Sequence, residues 1–237
     1  MGRGKMMRKT IRTSSIVIPA FIGLLIATPA WAQEFKTETF DAPPPAELAA
    51  PVREALGSAG VRVVGLDGPL CEIWLRGTVP AKADAPQKMG VAHPQFEEGT
   101  LFGALRILRE ARDFRKQLVK PGVYTMRYAL HPVDGNHMGV SPIRDFLLLL
   151  PTSEDAEVEN KSKVDTVNLS KKAIGQNHPS VWSLTASEAE RPDLPTLVHQ
   201  EEENLWVLYF RIQVQSAGGA PTQLLLGLVV VGHAPEA

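Results

Sequence analysis

The sequence predicts a mainly β fold, a two-sheet sandwich or jelly-roll-like domain with one or two short helices. Three observations predict it. Apolar runs of strand length, alternating or continuous, recur along residues 58–237 with turn residues between them. Few segments carry a helical period. The composition is ordinary at 44% hydrophobic and 22% charged, which excludes a chain disordered throughout, and 237 residues suit one domain with a small appendage.

Residues 1–32 read as a secretory signal peptide. Arg3, Lys5, Arg8, Lys9 and Arg12 give a basic start, Ile16–Ala27 is apolar, and Ala30-Trp31-Ala32 places small residues where a signal peptidase reads, so cleavage is expected before Gln33. The apolar stretch is shorter than the ~20 residues of a spanning helix. Cleavage removes five of 25 basic residues and none of 26 acidic ones, leaving 20 against 26, a net of −6. That balance argues against nucleic acid and anionic lipid as partners. No transmembrane segment is expected after cleavage, because the longest later apolar run, Leu224–Val231, has strand length. A single cysteine excludes an intrachain disulfide framework and a multi-thiolate metal site.

Residues 33–57 read as a proline-rich tether, marked by Pro43-Pro44-Pro45, followed by a short helix over Pro51–Leu56 that Gly57 stops. A single domain is expected from residue 58 to residue 237. Val61–Leu66 and Leu70–Arg76 form strands around the turn residues Asp67-Gly68-Pro69, with Cys71, Ile73 and Leu75 on one face. Residues 77–98 read as a long loop, Thr100–Leu108 as a strand, and Arg109–Leu118 as a helical turn or ragged connection. In Val123–Leu130, Tyr124, Met126, Tyr128 and Leu130 alternate with Val123, Thr125, Arg127 and Ala129, the period of a half-buried strand. A loop over 131–143 leads to the strand Phe146–Leu150. The polar stretch 152–163 is expected to be exposed, and Lys163–Ile174 to be a helix ended by Gly175. After Val181–Leu184 and a loop over Arg191–Pro195, the chain closes with a hairpin, Leu205–Gln215 and Thr222–Gly232. Arg211, Gln213 and Gln215 mark a wet face on its first strand, while Leu224–Val231 reads as buried on both faces.

The densest polar constellation is the loop His131–Gly139, anchored between two strands, where binding residues tend to sit. His131, Asp134 and His137 suit zinc through two imidazoles and a carboxylate. Met138 and Met126 as softer donors point to copper instead. His178 and Asp145 are the candidates to complete such a site. The alternative is a plain turn at Asp134-Gly135-Asn136, with His131 and His137 bonded to backbone. His93, His131 and His178 each precede a proline, which holds their backbone extended. No catalytic residue is assigned: Cys71 lies on an apolar face, and neither Ser141 nor Ser180 has an identifiable base. Glu201-Glu202-Glu203 reads as solvated surface. Trp74, Tyr124, Tyr128, Trp182 and Trp206 read as core rather than a sugar-binding face.

Gly99–Gly103, Lys120–Thr125, the His131–Met138 loop, Arg144-Asp145-Phe146 and Gly175–Pro179 resemble segments of uncharacterised exported bacterial β-sandwich proteins, domains of unknown function. The resemblance spans about half of the chain after the leader. It implies an exported bacterial β-protein, periplasmic or secreted, and carries over no catalytic residue. The function expected from the sequence is a soluble, non-enzymatic ligand- or metal-binding module that uses the 131–139 loop. Its ligand would be an unknown small molecule, zinc or copper. The alternatives are a metal-dependent enzyme using the same His/Asp cluster, with an open position to activate water, and a structural module bound to an envelope component through the 33–50 tether.

Overall fold

In the computed structural model, the described residues are 1–2, 35–134, 141–186, 191 and 193–234. The chain divides into residues 1–32 and 33–237. From residue 3 on, the expected leader lies outside the described residues, and the elements given below belong to the second unit.

Strand β1 (Phe35–Asp41) pairs antiparallel with β2 (Ala59–Gly65) along its whole length, after the chain has passed through helix α1 (Ala50–Ala55). This corrects the expected tether. Phe40 packs edge-on against Trp74 at 5.4 Å and lies under the Arg62 guanidinium, so the segment is a fixed part of the sheet. Its apolar residues are too few to outweigh the neighbouring prolines in the sequence, and only the partner strand supplies their contacts. Helix α1 forms where expected, with Pro51 in its first turn.

The chain continues through β3 (Gly68–Leu75), β4 (Val79–Ala81), β5 (Leu101–Ile107), the small pair β6 (Ala111–Arg112) and β7 (Leu118–Val119), then β8 (Gly122–Leu130) and β9 (Asp145–Pro151). Helix α2 (Lys163–Ile174) precedes β10 (Trp182–Thr185), β11 (Thr196–Gln200), β12 (Leu205–Ser216) and β13 (Thr222–Val231). Eleven strands join one sheet in the order β1-β2-β3-β5-β8-β9-β10-β13-β12-β11, with β4 added in parallel to β12; β6 and β7 pair separately. The sheet curls until Phe35 of β1 meets Trp206 of β12 at a ring distance of 5.3 Å.

The mainly β expectation holds, as do two helices, but the hydrogen bonds do not divide the strands into two separate sheets. The reason is β10. Its Trp182 and Ser183 pair with β9, and its Leu184 and Thr185 pair with β13, which makes one continuous path. Strand β4 inside the expected long loop and strand β11 after the 191–195 loop were not legible. Each is short, and each is held by pairing with β12 rather than by its own pattern.

Alternation along the strands places the main core on one face of the sheet, with Ile73, Leu105, Met126, Tyr128, Leu147 and Leu208 among its members. The other face carries two smaller clusters. One joins Trp74, Leu101 and Val52 under α1; the other joins Phe146, Leu148, Leu150 and Val181 beside Val167 of α2. Cys71 sits fully buried in the main core, where burial pushes its thiol up to about 12, so it is a small hydrophobe and not a nucleophile. Trp74, Tyr124, Tyr128, Trp182 and Trp206 are all buried. Among the described residues, no helix is long and apolar enough to cross a membrane.

Candidate functional site

The site is built against β8 and β9 by an arginine. β8 was expected to have one wet face, yet both faces are buried. On the expected wet face, Arg127 is fully buried and all five guanidinium N–H groups find acceptors. Nε and Nη2 donate to Asp155 at 2.7 and 2.8 Å. Nη1 donates to the carbonyls of Gly99 and Glu159, and Nη2 to that of Glu157. Asp155 also accepts from the Thr125 hydroxyl and pairs with Lys161 at 3.4 Å. The polar segment expected to be exposed is largely so, Glu157 and Glu159 included, but Asp155 is fully buried and the carbonyls of Glu157 and Glu159 tie the backbone to Arg127. Gly99 makes this possible: its φ of +88° suits glycine, and a Cβ there would collide with the Lys161 carbonyl.

The clamp delivers the chain to Ser162, whose Oγ accepts the Asp165 N–H and starts α2; Gly175, at φ +66°, ends it. The helix is pinned to β9 through two hydroxyls. Ser180 donates its N–H to Ser170 Oγ at 3.0 Å, and Ser180 Oγ accepts the Leu149 N–H at 2.8 Å. Asp113 fastens the neighbouring loop. It accepts the N–H of Arg115 at 2.9 Å and of Val181 at 2.8 Å, and burial raises its carboxyl above the usual range despite these bonds.

These elements enclose an open cavity of about 220 Å³. Phe146, Leu148, Val167 and Val181 give it an apolar floor, with Ala129 and Leu130 beside them. Charged groups gather at its edge: Arg115, Lys163 and Lys171, with Glu98. Lys163 pairs with Glu98 at 3.0 Å, and the same carboxylate accepts the Leu130 N–H. Neither Arg115 nor Lys171 has a carboxylate partner among the described residues.

Two of the four residues proposed from sequence come together here. His131 is buried, stacks on Phe146 at 4.3 Å between ring centres, and lines the cavity; His178 is exposed and lines it too. Asp134 is exposed on the loop, and His137 lies outside the described residues. Asp145, considered as a further metal ligand, is committed elsewhere. It accepts the N–H groups of Ala92 and His93 and the Tyr128 hydroxyl, at 2.9, 3.0 and 2.6 Å. Among the described residues, no three His, Cys, Asp or Glu side chains gather where they could hold a metal ion. Glu201–Glu203 are exposed, as expected, and border a wider depression of about 590 Å³ near Ser183 and Thr185.

Arg115, Lys163 and Lys171 were not singled out as site residues from the sequence. A trace of them was there: Lys163, Val167 and Lys171 follow at i, i+4 and i+8, one stripe of α2. Which stripe faces the sheet is a tertiary fact.

His93 gives a pH-dependent expectation. It is buried, its Nε2 has no hydrogen-bond partner among the described residues, and burial lowers its pKa, a shift that the nearby Asp145 carboxylate opposes. The unfolded chain therefore takes up a proton near pH ~6.5 that the folded chain refuses. Stability contributed by neutral His93 is intact above that pH and falls as pH drops through it towards the lower folded value. Urea midpoints measured from pH 7.5 to 5 are expected to decline more steeply for the parent than for His93→Gln. Parallel curves would show that His93 does not carry this dependence.

Compared with protein-family models, curated proteins and solved structures, the chain matches none.

Proposed function

We propose that this chain is an exported, non-enzymatic binding module that holds a small, largely apolar molecule in the cavity between α2 and strands β8 and β9. The observation that carries the reading is the cavity itself, an apolar floor of ordered side chains opening at a rim where polar groups converge. His131 and Pro132, the first residues of the loop favoured from sequence, form part of its wall. In this reading the curled sheet acts as a sandwich whose halves share β10. Export is supported by the leader pattern and by the net charge of −6 that cleavage would leave.

The test uses benzyl alcohol as a neutral probe. Titration is expected to shift the methyl resonances of Leu148, Val167 and Val181 saturably, and Val167→Trp, which fills the space, is expected to abolish the effect. Unshifted methyls at millimolar probe would overturn the reading.

A second reading, zinc or copper, is favoured by the shared position of His131 and His178. Elemental analysis of protein purified without chelators checks it. One equivalent of metal, lost in His131→Ala/His178→Ala, would replace the first reading with this one.

A further inference from the structure

The ligand class follows from the rim, and this inference rests on the binding reading above. We infer that the cavity takes a small amphiphilic monoanion, an aromatic or medium-chain carboxylic acid. Its apolar body lies on Phe146, Leu148 and Val167, and its carboxylate faces Lys171 and Arg115.

Size sets the first limit. An apolar cavity of about 150 Å³ accepts benzene, so one of about 220 Å³ accepts a ring, or a chain of similar volume, with a short head group. The floor sets the second. Phe146 and Leu148 are buried and apolar and cannot solvate a charge, so a charged ligand must keep its ionised end at the rim.

The rim sets the sign. Glu98 neutralises Lys163, which leaves Lys171 and Arg115 as the cations without a carboxylate partner among the described residues. Such a surplus is not the average of this surface, since residues 33–237 carry a net of −6. The main chain at Arg115 is fixed beside the floor: its backbone N–H donates to the buried Asp113, which also accepts the N–H of Val181, while its side chain is exposed. The guanidinium offers paired donors that match a carboxylate. The same two charges oppose a divalent cation at this rim. The stacked rings of His131 and Phe146 add an aromatic surface beside the floor, which favours a ring as the apolar body.

The experiment is a calorimetric titration of the full chain with phenylacetate and octanoate, their neutral counterparts 2-phenylethanol and 1-octanol, and acetate and inorganic phosphate as head groups without an apolar body. Either acid is expected to bind about tenfold or more tighter than its alcohol. Lys171→Gln/Arg115→Gln is expected to erase that preference while leaving alcohol binding in place. Both residues are at least partly exposed, so the variant retains its packing. Alcohols binding as tightly as acids, with both lost in Val167→Trp, would overturn the anion assignment and leave the binding reading standing. Acetate or phosphate binding as well as the longer acids would overturn the amphiphile. An acid preference untouched by the double variant would overturn the role of Lys171 and Arg115. Failure of every acid and alcohol to bind would overturn both this inference and the reading beneath it.

Discussion

Arg127→Met is expected to lower the stability of the fold by about 3–5 kcal/mol, the range for breaking a buried ion pair by removing one partner. The physical reason is what stays behind. Asp155 is fully buried, and without the guanidinium its charge keeps only the Thr125 hydroxyl and the more distant Lys161. Three carbonyls, of Gly99, Glu157 and Glu159, lose a charged donor at the same time. Urea unfolding of parent and variant measures the difference. Replacing both members of the pair, Arg127→Met with Asp155→Leu, is expected to recover much of the loss, because the stranded charge is gone. A single-variant effect below about 1 kcal/mol would show that the pair is not the clamp described. The same variant reports on the site. Residues 155–161 lead directly into α2, so amide protons of that helix are expected to exchange faster, and probe binding to weaken, under conditions where the sheet stays protected.

Leu148→Ala is expected to cost about 2–5 kcal/mol, the range for truncating a buried leucine. Leu148 is fully buried on β9 and packs with Phe146, Val167 and Val181 beneath the cavity. The position within that range depends on whether α2 settles into the gap, since a cavity that closes costs less than one that remains. Two measurements separate these outcomes. Thermal or urea unfolding gives the loss. Titration with acids of increasing chain length then shows whether the space persists, in which case the preferred chain lengthens. A fall in stability under about 1 kcal/mol, with unchanged preference, would mean that Leu148 does not form the floor.

Much of the local structure was legible because it depends on residues close in sequence. Gly175 was expected to end α2 and does so; Ser162, which caps its start, was not singled out from the sequence. The hairpin of β12 and β13 follows its own alternation, with Arg211 and Gln213 exposed and Leu226 to Val230 buried. Cys71 occupies the apolar face its neighbours indicated. Of the histidine constellation, His131 and His178 share a cavity, Asp134 is exposed, and His137 lies outside the described residues. The cations at the rim come from α2 and from the turn at Arg115, which are distant in sequence from the 131–139 loop.

The sequence by itself determined the mainly β character, both helices, and the hydrophobic alternation that gives each strand its faces. Those properties follow from the period of side chains along the backbone and from caps within a few residues. Tertiary structure alone decided which faces are covered. Thr125 and Arg127 read as the wet side of β8, and they are buried because Asp155, some thirty positions away, folds over them and accepts from both, while the carbonyls of Gly99, Glu157 and Glu159 take the remaining guanidinium donors. The 35–41 segment read as a tether, and it is a strand because β2 supplies its hydrogen bonds and Trp74 its packing. In the same way, the cavity exists because the Arg127 clamp and the Ser170–Ser180 bond set α2 over β9. Burial of a polar group is favourable only when its partner is present, and no local pattern can say that the partner will arrive.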